Sequence, residues 1–222
     1  MAVYSRYTPD ITVTACGRDW VLRRPNDCES LWNAMTAQEF GDDERLPYWV
    51  ELWPASIALA EWLADNAAAL RGKRCLDMGC GLGLTAMVAA SLGARVVAMD
   101  YEREALVYAR ANAERNRVPQ PFWTVMDWRC PAVAAKSAQR IWGGDIMYER
   151  RFVDPVLRFM DHALAPGGKV WIAEPERDVY RHFRSALFHA GWAARPVFAG
   201  KIPALYEQPE RVSVTLWEME KG

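Results

Sequence analysis

The residues with the clearest chemical potential are three alternating glycines and an acid that follows them. Gly79, Gly81 and Gly83 come directly after an apolar run, and Asp100 closes the next apolar run. Glycines after a buried strand allow a tight turn in which the backbone approaches a ligand closely. An acid at the end of the next strand, about twenty residues past the first glycine, is placed to accept hydrogen bonds from a ribose diol. The spacing therefore predicts a pocket for a nucleoside-containing ligand.

Asp77, two residues before the first glycine, helps to separate two kinds of pocket. The pattern Asp-x-Gly-x-Gly-x-Gly over 77–83 resembles motif I of S-adenosylmethionine (SAM)-dependent methyltransferases. The run 81–86 also fits the Gly-x-Gly-x-x-Ala of dinucleotide-binding proteins, so an NAD-binding oxidoreductase stays open. A carboxylate beside the loop would repel a pyrophosphate, whereas SAM carries a sulfonium and an ammonium there. We therefore favour SAM as the cofactor and count Asp77 among the residues that bind it.

The composition is that of an ordinary globular protein and disfavours several classes of function. The chain has 222 residues, 51% of them hydrophobic and 25% charged, and a formal net charge of −1. Such a charge gives no general attraction to nucleic acids. Five cysteines without a Cys-x-x-Cys pair and three scattered histidines predict reduced thiols and no metal site. Neither a secretion signal nor a membrane-spanning run is present, so we expect a cytoplasmic protein.

Strand-like and helix-like segments alternate from residue 73 onward, which predicts helices on both faces of a mostly parallel sheet. The fourth predicted strand, 141–148, contains two glycines and has uncertain bounds. The last two, 196–201 and 212–217, flank a proline-containing connection and indicate an antiparallel pair that closes the sheet. The sequence thus predicts an α/β, doubly wound, Rossmann-like core.

Three further segments carry a resemblance to a known protein family. A Tyr-Trp-Val-Glu-Leu-Trp-Pro run occupies 48–54, an Asp-Trp pair ends the third predicted strand at 127–128, and an Asp-x-x-Tyr motif ends the fourth at 145–148. Together with the glycine loop, these segments resemble methyltransferase family 16, the seven-strand SAM-dependent protein lysine methyltransferases. The Trp-Pro pair and the asparagines Asn112 and Asn116 are similar to the electron-transfer-flavoprotein β-subunit lysine methyltransferases and their bacterial relatives.

The resemblance covers roughly residues 46–175 and implies a class I SAM-dependent methyltransferase fold. Its seven-stranded sheet would have the order 3-2-1-4-5-7-6 with the last strand antiparallel. We expect a single methyltransferase domain over 1–222, with a small N-terminal cap over 1–45 and the SAM-binding core over 46–222. Residues 11–14 and 20–22 of the cap have the pattern of a hairpin.

The same resemblance implies the residues of the site. Carried over by position, Asp145 and Tyr148 are the catalytic candidates. Asp145 would capture and aim the substrate nitrogen, while Tyr148 would supply a second polar contact and one wall. The implied cofactor-binding residues are Trp53, Gly79, Gly81, Gly83, Asp100, Asp127, Trp128 and Gly144.

We therefore expect methyl transfer to a lysine side chain of a protein. A small-molecule N- or O-methyltransferase would use the same cofactor half, and a noncatalytic SAM-binding module is an alternative from a different class. An open channel flanked by Trp49, Trp142 and Arg150 would favour a protein acceptor, whereas a closed pocket over Asp145 would favour a metabolite.

Overall fold

The structure is a computed structural model that describes residues 8–35, 46–203 and 211–222. Residues 1–7 and 36–45 of the predicted cap lie outside this part of the chain. The strands are β1 (Asp10–Ala15), β2 (Arg18–Arg23), β3 (Arg74–Met78), β4 (Arg95–Asp100), β5 (Phe122–Val125), β6 (Ala138–Gly144), β7 (Leu164–Glu174), β8 (Trp192–Ile202) and β9 (Val212–Lys221). The α-helices are α1 (Cys28–Ala34), α2 (Pro54–Asp65), α3 (Ala67–Leu70), α4 (Leu84–Ser91), α5 (Arg103–Arg115), α6 (Val153–Ala163) and α7 (Asp178–His189). Two 3₁₀ turns cover Tyr48–Val50 and Arg150–Phe152.

Strands β3 to β9 form one sheet of order β5-β4-β3-β6-β7-β9-β8. Counted from β3, this is 3-2-1-4-5-7-6, so the predicted order is confirmed. Strand β3 pairs in parallel with β4 and β6, whereas β9 is antiparallel to both β7 and β8. Because β3, β4, β5 and β6 run in one direction, their carboxyl ends open on the same edge of the sheet.

Each face of the sheet carries its own apolar cluster. Successive residues of β7 enter opposite clusters, since Trp171 packs in one and its neighbours Val170 and Ile172 pack in the other. This alternation follows from the two-residue period of a strand. Helices α2 and α4 contribute to the cluster that contains Trp171, and α6 and α7 contribute to the other. Helices on both faces confirm the doubly wound architecture.

The predicted N-terminal hairpin is present and rests on α5. Strands β1 and β2 pair in antiparallel register. Asn116 accepts a hydrogen bond from the amide of Val21 (3.0 Å) and donates one to its carbonyl (2.8 Å). Asn112 does the same with Arg23, at 2.7 and 3.2 Å. Two side-chain amides, one on α5 and one at its C-terminal cap, therefore pair with the edge of β2 in the way that a neighbouring strand would.

Two kinds of feature are absent from residues 8–35, 46–203 and 211–222. No helix there has the length and apolar character needed to cross a membrane. Across the same three ranges, no group of three or more histidine, cysteine, aspartate or glutamate side chains is arranged to hold a metal ion.

Candidate active site

A large cleft opens at the carboxyl ends of β3, β4, β5 and β6. It encloses about 1180 Å³, counting the space open to solvent. Five stretches of chain contribute lining residues: 46–56, 79–85, 100–102, 126–129 and 144–152. In open α/β sheets, ligands bind outside the carboxyl ends of the strands where the strand order reverses, which here lies between β3 and β6. The cleft therefore occupies the position that the topology favours for a ligand.

The glycine loop approaches neighbouring residues of the cleft so closely that a side chain on it would be crowded. Gly79 and Gly81 have φ angles of 67° and 49°, in the left-handed region that favours glycine. A Cβ atom on Gly79 would lie 3.0 Å from Cγ2 of Ile146, and one on Gly81 would lie 3.3 Å from the carbonyl oxygen of Trp49. Both the backbone conformation and the space explain why these positions are glycine.

Asp100 is fixed at the end of β4 by two backbone amides. Its Oδ2 accepts a hydrogen bond from the amide of Gly81 (2.9 Å), and its Oδ1 accepts one from the amide of Glu102 (3.0 Å). Burial raises the pKa of Asp100 to about 6, so the carboxyl is mostly ionised at neutral pH. Each carboxylate oxygen has a second lone pair for a further donor. Because Asp100 also lines the cleft, it can accept hydrogen bonds from a diol.

Asp77 differs from the other predicted residues, because its side chain is buried and does not line the cleft. The alternation along β3 turns Asp77 to the same face as Cys75, under α4, rather than toward the loop. Its Oδ2 accepts a hydrogen bond of 2.6 Å from Oγ1 of Thr85, which does line the cleft. Burial raises the pKa of Asp77 to about 7. Asp77 thus ties β3 to the first turn of α4 from below the site.

The segment before α2 forms an aromatic wall. Trp53 donates a hydrogen bond from Nε1 to the carbonyl of Tyr48 (3.0 Å), and their rings meet edge to face at 5.9 Å. Glu51, in the same segment, forms an ion pair with the buried Arg24 and accepts a hydrogen bond from the amide of Cys28 (2.9 Å). The wall is therefore anchored to the chain that follows the hairpin.

Asp127 and Trp128 follow β5 and both line the cleft. Asp127 accepts hydrogen bonds from the amide and from Nε of Arg129, each at 2.7 Å. The ring of Trp128 meets that of Phe152 edge to face at 5.8 Å. The carboxylate thus closes a local turn, while the indole adds to the apolar lining.

The Asp-x-x-Tyr segment does not continue the fourth strand as expected. Strand β6 ends at Gly144, because Asp145 adopts a left-handed φ of 51° and turns the chain away from the sheet. The amide of Asp145 donates to the carbonyl of Ala173 (2.9 Å). Tyr148 packs edge to face against Tyr48 at 4.9 Å and against Phe152 at 5.1 Å. Burial raises the pKa of Tyr148 well above its ordinary value, so its phenol keeps its proton.

The Asp145 carboxylate is paired with a residue that the sequence did not single out. Arg177, just before α7, donates from Nε to Oδ1 (2.9 Å) and from Nη2 to Oδ2 (2.8 Å). The Asp145 side chain is only 4% exposed, against 41% for that of Arg177. Hydrogen bonding to Asp145 raises the pKa of Arg177 above its ordinary value. Asp145 is thus a held and neutralised carboxylate rather than an isolated charge.

The structure brings together ten of the eleven predicted site residues around one cleft. The lining residues are Trp53, Gly79, Gly81, Gly83, Asp100, Asp127, Trp128, Gly144, Asp145 and Tyr148. The expectation that Trp142 flanks a channel is wrong, because Trp142 is fully buried in the core on the α2 side of the sheet. Arg150 is exposed and is not part of the lining, whereas Trp49 is.

Comparison with known proteins agrees with this geometry. Residues 75–168 match the methyltransferase domain family. The electron transfer flavoprotein beta subunit lysine methyltransferase of Mus musculus is 30% identical over 152 residues, which are 68% of this chain and 57% of that protein. The protein N-lysine methyltransferase METTL21A of the same species is 31% identical over 129 residues, covering 55% of this chain and 58% of the relative.

Residues 75–168 of the chain thus form a methyltransferase domain. The predicted resemblance to the lysine methyltransferases of family 16 is likewise confirmed. The chain spans only about half the length of the curated relatives that it matches. The match to a methyltransferase domain favours SAM over a dinucleotide as the cofactor.

Solved structures support the fold of this chain. TYW2 of P. horikoshii, in complex with MeSAdo, superposes with a TM-score of 0.59 at 15% identity, covering 96% of this chain and 72% of that one. A TehB-like SAM-dependent methyltransferase from Corynebacterium glutamicum gives a TM-score of 0.55 at 19% identity, covering 85% of this chain and 97% of the other. At such identities the likeness establishes the shared architecture.

Proposed function

We propose that this chain transfers a methyl group from SAM to a lysine side chain of a protein. The observation that carries the proposal is the position of the Asp-x-x-Tyr segment. Asp145 and Tyr148 line the same cleft as the glycine loop and Asp100. An acceptor group and a cofactor could therefore meet within one site. The similarity to proteins named as lysine methyltransferases supports lysine as the acceptor.

The part of the cleft lined by Trp53, the glycine loop, Asp100 and Trp128, here called the cofactor half, has hydrogen-bond acceptors, aromatic rings and space that suit SAM. Asp100 would accept hydrogen bonds from the ribose hydroxyls, and the glycine loop would let the backbone approach the ligand. Trp53 and Trp128 would present aromatic rings, which interact favourably with a sulfonium by about 0.5 to 2 kcal/mol. Asp77 would act from below, by holding Thr85 and the start of α4. When bound, SAM supplies a methyl group on a sulfonium, which the lone pair of the acceptor nitrogen displaces.

The acceptor half would orient a lysine amine and favour its neutral form. Moving an amine from its ordinary pKa of about 10.4 to neutrality corresponds to roughly 4 to 5 kcal/mol. The rings of Tyr48, Tyr148 and Phe152 meet edge to face in the lining of the cleft, and an amine bound against them would lose water, which disfavours its charged form. Asp145 would accept a hydrogen bond from the nitrogen and aim its lone pair.

The organisation of the chain and its location are parts of the same proposal. We assign 46–222 to one catalytic domain and 1–45 to a cap on it. All five cysteines are free thiols, which is typical of proteins in a reducing compartment, and supports the cytoplasm as the site of action. With a net charge of −1, a protein acceptor is favoured over a nucleic acid.

Incubation of the purified chain with methyl-labelled SAM and a cell lysate tests the proposal. Labelled protein bands that yield Nε-methyl-lysine after hydrolysis, and that Asp145→Asn fails to produce, would support it. Label that passes only into small molecules would instead indicate a metabolite methyltransferase. SAM binding by calorimetry without any transfer would indicate a noncatalytic binding module. Either of these two results would overturn lysine methylation.

A further inference from the structure

The pairing of Asp145 with Arg177 bears on how a carboxylate can aim an amine without trapping its proton. Two parallel hydrogen bonds, at 2.9 and 2.8 Å, engage both oxygens of Asp145. Such a bidentate pair fixes the plane of the carboxylate as well as its position. The backbone is fixed too, because the amide of Asp145 is bonded to Ala173 on β7. Each oxygen keeps a lone pair, so the cleft-lining carboxylate can still accept a hydrogen bond from a ligand.

An unpaired carboxylate in this position would oppose the reaction. A negative charge beside an amine favours the ammonium form, which has no lone pair with which to attack. The guanidinium of Arg177 cancels that charge within the pair, and arginine stays charged throughout the range in which enzymes work. A paired carboxylate therefore keeps its hydrogen-bonding capacity while losing most of its pull on the proton.

We propose that Arg177 is a positioning residue that holds and neutralises Asp145, so that the acceptor amine is aimed without being held as an ammonium. The inference rests on the proposed function, because it assigns a role within lysine methylation. It concerns a residue outside the Asp-x-x-Tyr motif and outside the lining of the cleft.

The other ionisable groups around the pair would not replace Arg177. The phenols of Tyr48 on the 3₁₀ turn, Tyr148 on the loop and Tyr180 on α7 all have pKa values raised by burial, so they stay neutral. Glu174 on β7 and Glu149 on the loop are acids near these phenols, and each forms an ion pair with an arginine of its own, Arg184 and Arg151 respectively. Arg177 is therefore the basic group directly bonded to Asp145 in the described part of the chain.

The test compares three variants in pH–rate profiles with a lysine-containing protein acceptor. Arg177→Met removes the charge but keeps much of the length of the side chain. Arg177→Lys restores a charge without the bidentate fork. Arg181→Met is the matched control, because Arg181 lies in the first turn of α7, the helix directly after Arg177, is 78% exposed and pairs only with Asp178 among the ion pairs described. SAM affinity by calorimetry is measured for each variant, to check that the cofactor half is intact.

We expect Arg177→Met to raise the apparent pKa of the kcat profile by about one unit, which is about a tenfold loss of kcat near neutral pH and full recovery at alkaline pH. Its KM for the acceptor should fall, because an unpaired Asp145 attracts the ammonium form. Arg177→Lys should restore the pH profile for the most part, and Arg181→Met should match the wild type.

A loss of kcat in Arg177→Met that is equal at every pH would overturn the inference, since it would indicate a merely structural role. An unchanged profile would overturn it as well. Both results leave lysine methylation standing, because the wild type is active in them. A wild-type chain that methylates no lysine would instead overturn the proposed function, and the role of Arg177 with it.

Discussion

Replacing Asp77 by asparagine should remove a large part of the pH dependence of stability. Burial raises the pKa of this carboxyl from 3.8 to about 7. Between these two values the native state binds more protons than the unfolded chain, so stability falls as pH rises across that range. The rise of about three pH units corresponds to roughly 4 kcal/mol of stability that is present in acid and lost above about pH 7. Asparagine cannot ionise, and its Oδ1 can still accept the hydrogen bond of Thr85.

Urea unfolding of the ligand-free protein between about pH 5 and pH 8.5 measures this effect. We expect the free energy of unfolding of the wild type to decrease with pH over this interval, and that of Asp77→Asn to decrease much less. Asp100 adds a smaller dependence of the same sign, because burial raises its pKa from 3.8 to about 6. The double variant with Asp100→Asn should therefore be the flattest. An exposed acid, Asp178, provides the control, since Asp178→Asn should follow the wild type.

Equal slopes for the wild type and Asp77→Asn would refute the reasoning. Such a result would mean that the Asp77 carboxyl is solvated in the native protein or that its charge is compensated by a group other than Thr85. A free energy of unfolding that decreases more steeply with pH in Asp77→Asn than in the wild type would contradict the reasoning more strongly, because the contribution of Asp77 would then have the opposite sign.

Four other substitutions give distinct expected results. Asp145→Asn should abolish methyl transfer while leaving the SAM dissociation constant from calorimetry within a few fold, because an amide keeps only one of the two oxygens that bind Arg177 and aim the acceptor nitrogen. Asp100→Ala should weaken SAM binding by about tenfold or more in the same assay, because it removes the acceptor for the ribose and releases the amide of Gly81; unchanged affinity would mean that the ribose lies elsewhere. Asn112→Ala should cost about 2 to 3 kcal/mol in urea unfolding and also weaken SAM binding. Asn116→Ala should lower the free energy of unfolding by a similar amount but leave SAM affinity unchanged. If both variants weakened SAM binding equally, the assignment of Asn112 alone to support of the glycine loop would be wrong.

The fold could be predicted well because its signals are local and periodic. Apolar runs such as the one ending at Asp100, separated by amphipathic helices, indicate an alternating α/β order, and that order constrains the topology strongly. The end of the fourth strand was harder to predict, because the sequence 141–148 contains strand-forming residues around two glycines. The structure ends β6 at Gly144, where the left-handed φ of Asp145 turns the chain. A single residue with this conformation carries no periodic signal.

The cofactor half of the site was more predictable than the acceptor half for a physical reason. The glycine loop and Asp100 lie at adjacent strand ends of one βαβ unit, so their relative positions follow from short-range geometry. Arg177 comes 32 residues after Asp145 in the chain and meets it only because β6 and β7 are neighbours in the sheet. Whereas Arg177 was missed, Trp142 was wrongly included. Trp142 is close to the Asp-x-x-Tyr motif in sequence, but its side chain is buried in the core and not in the cleft.

The hairpin is connected to both sides of the cleft, which explains why a small N-terminal element could matter to the site. Asn112 bonds β2 through Arg23 and also donates to the carbonyl of Leu82 in the glycine loop (3.1 Å). On the other side, Arg24 follows β2 and forms its buried ion pair with Glu51 in the aromatic wall. Groups that must be held in position work best when a second layer of contacts restrains them. The hairpin and its two polar anchors form such a layer, so loosening β2 from α5 should disturb the loop and the wall together.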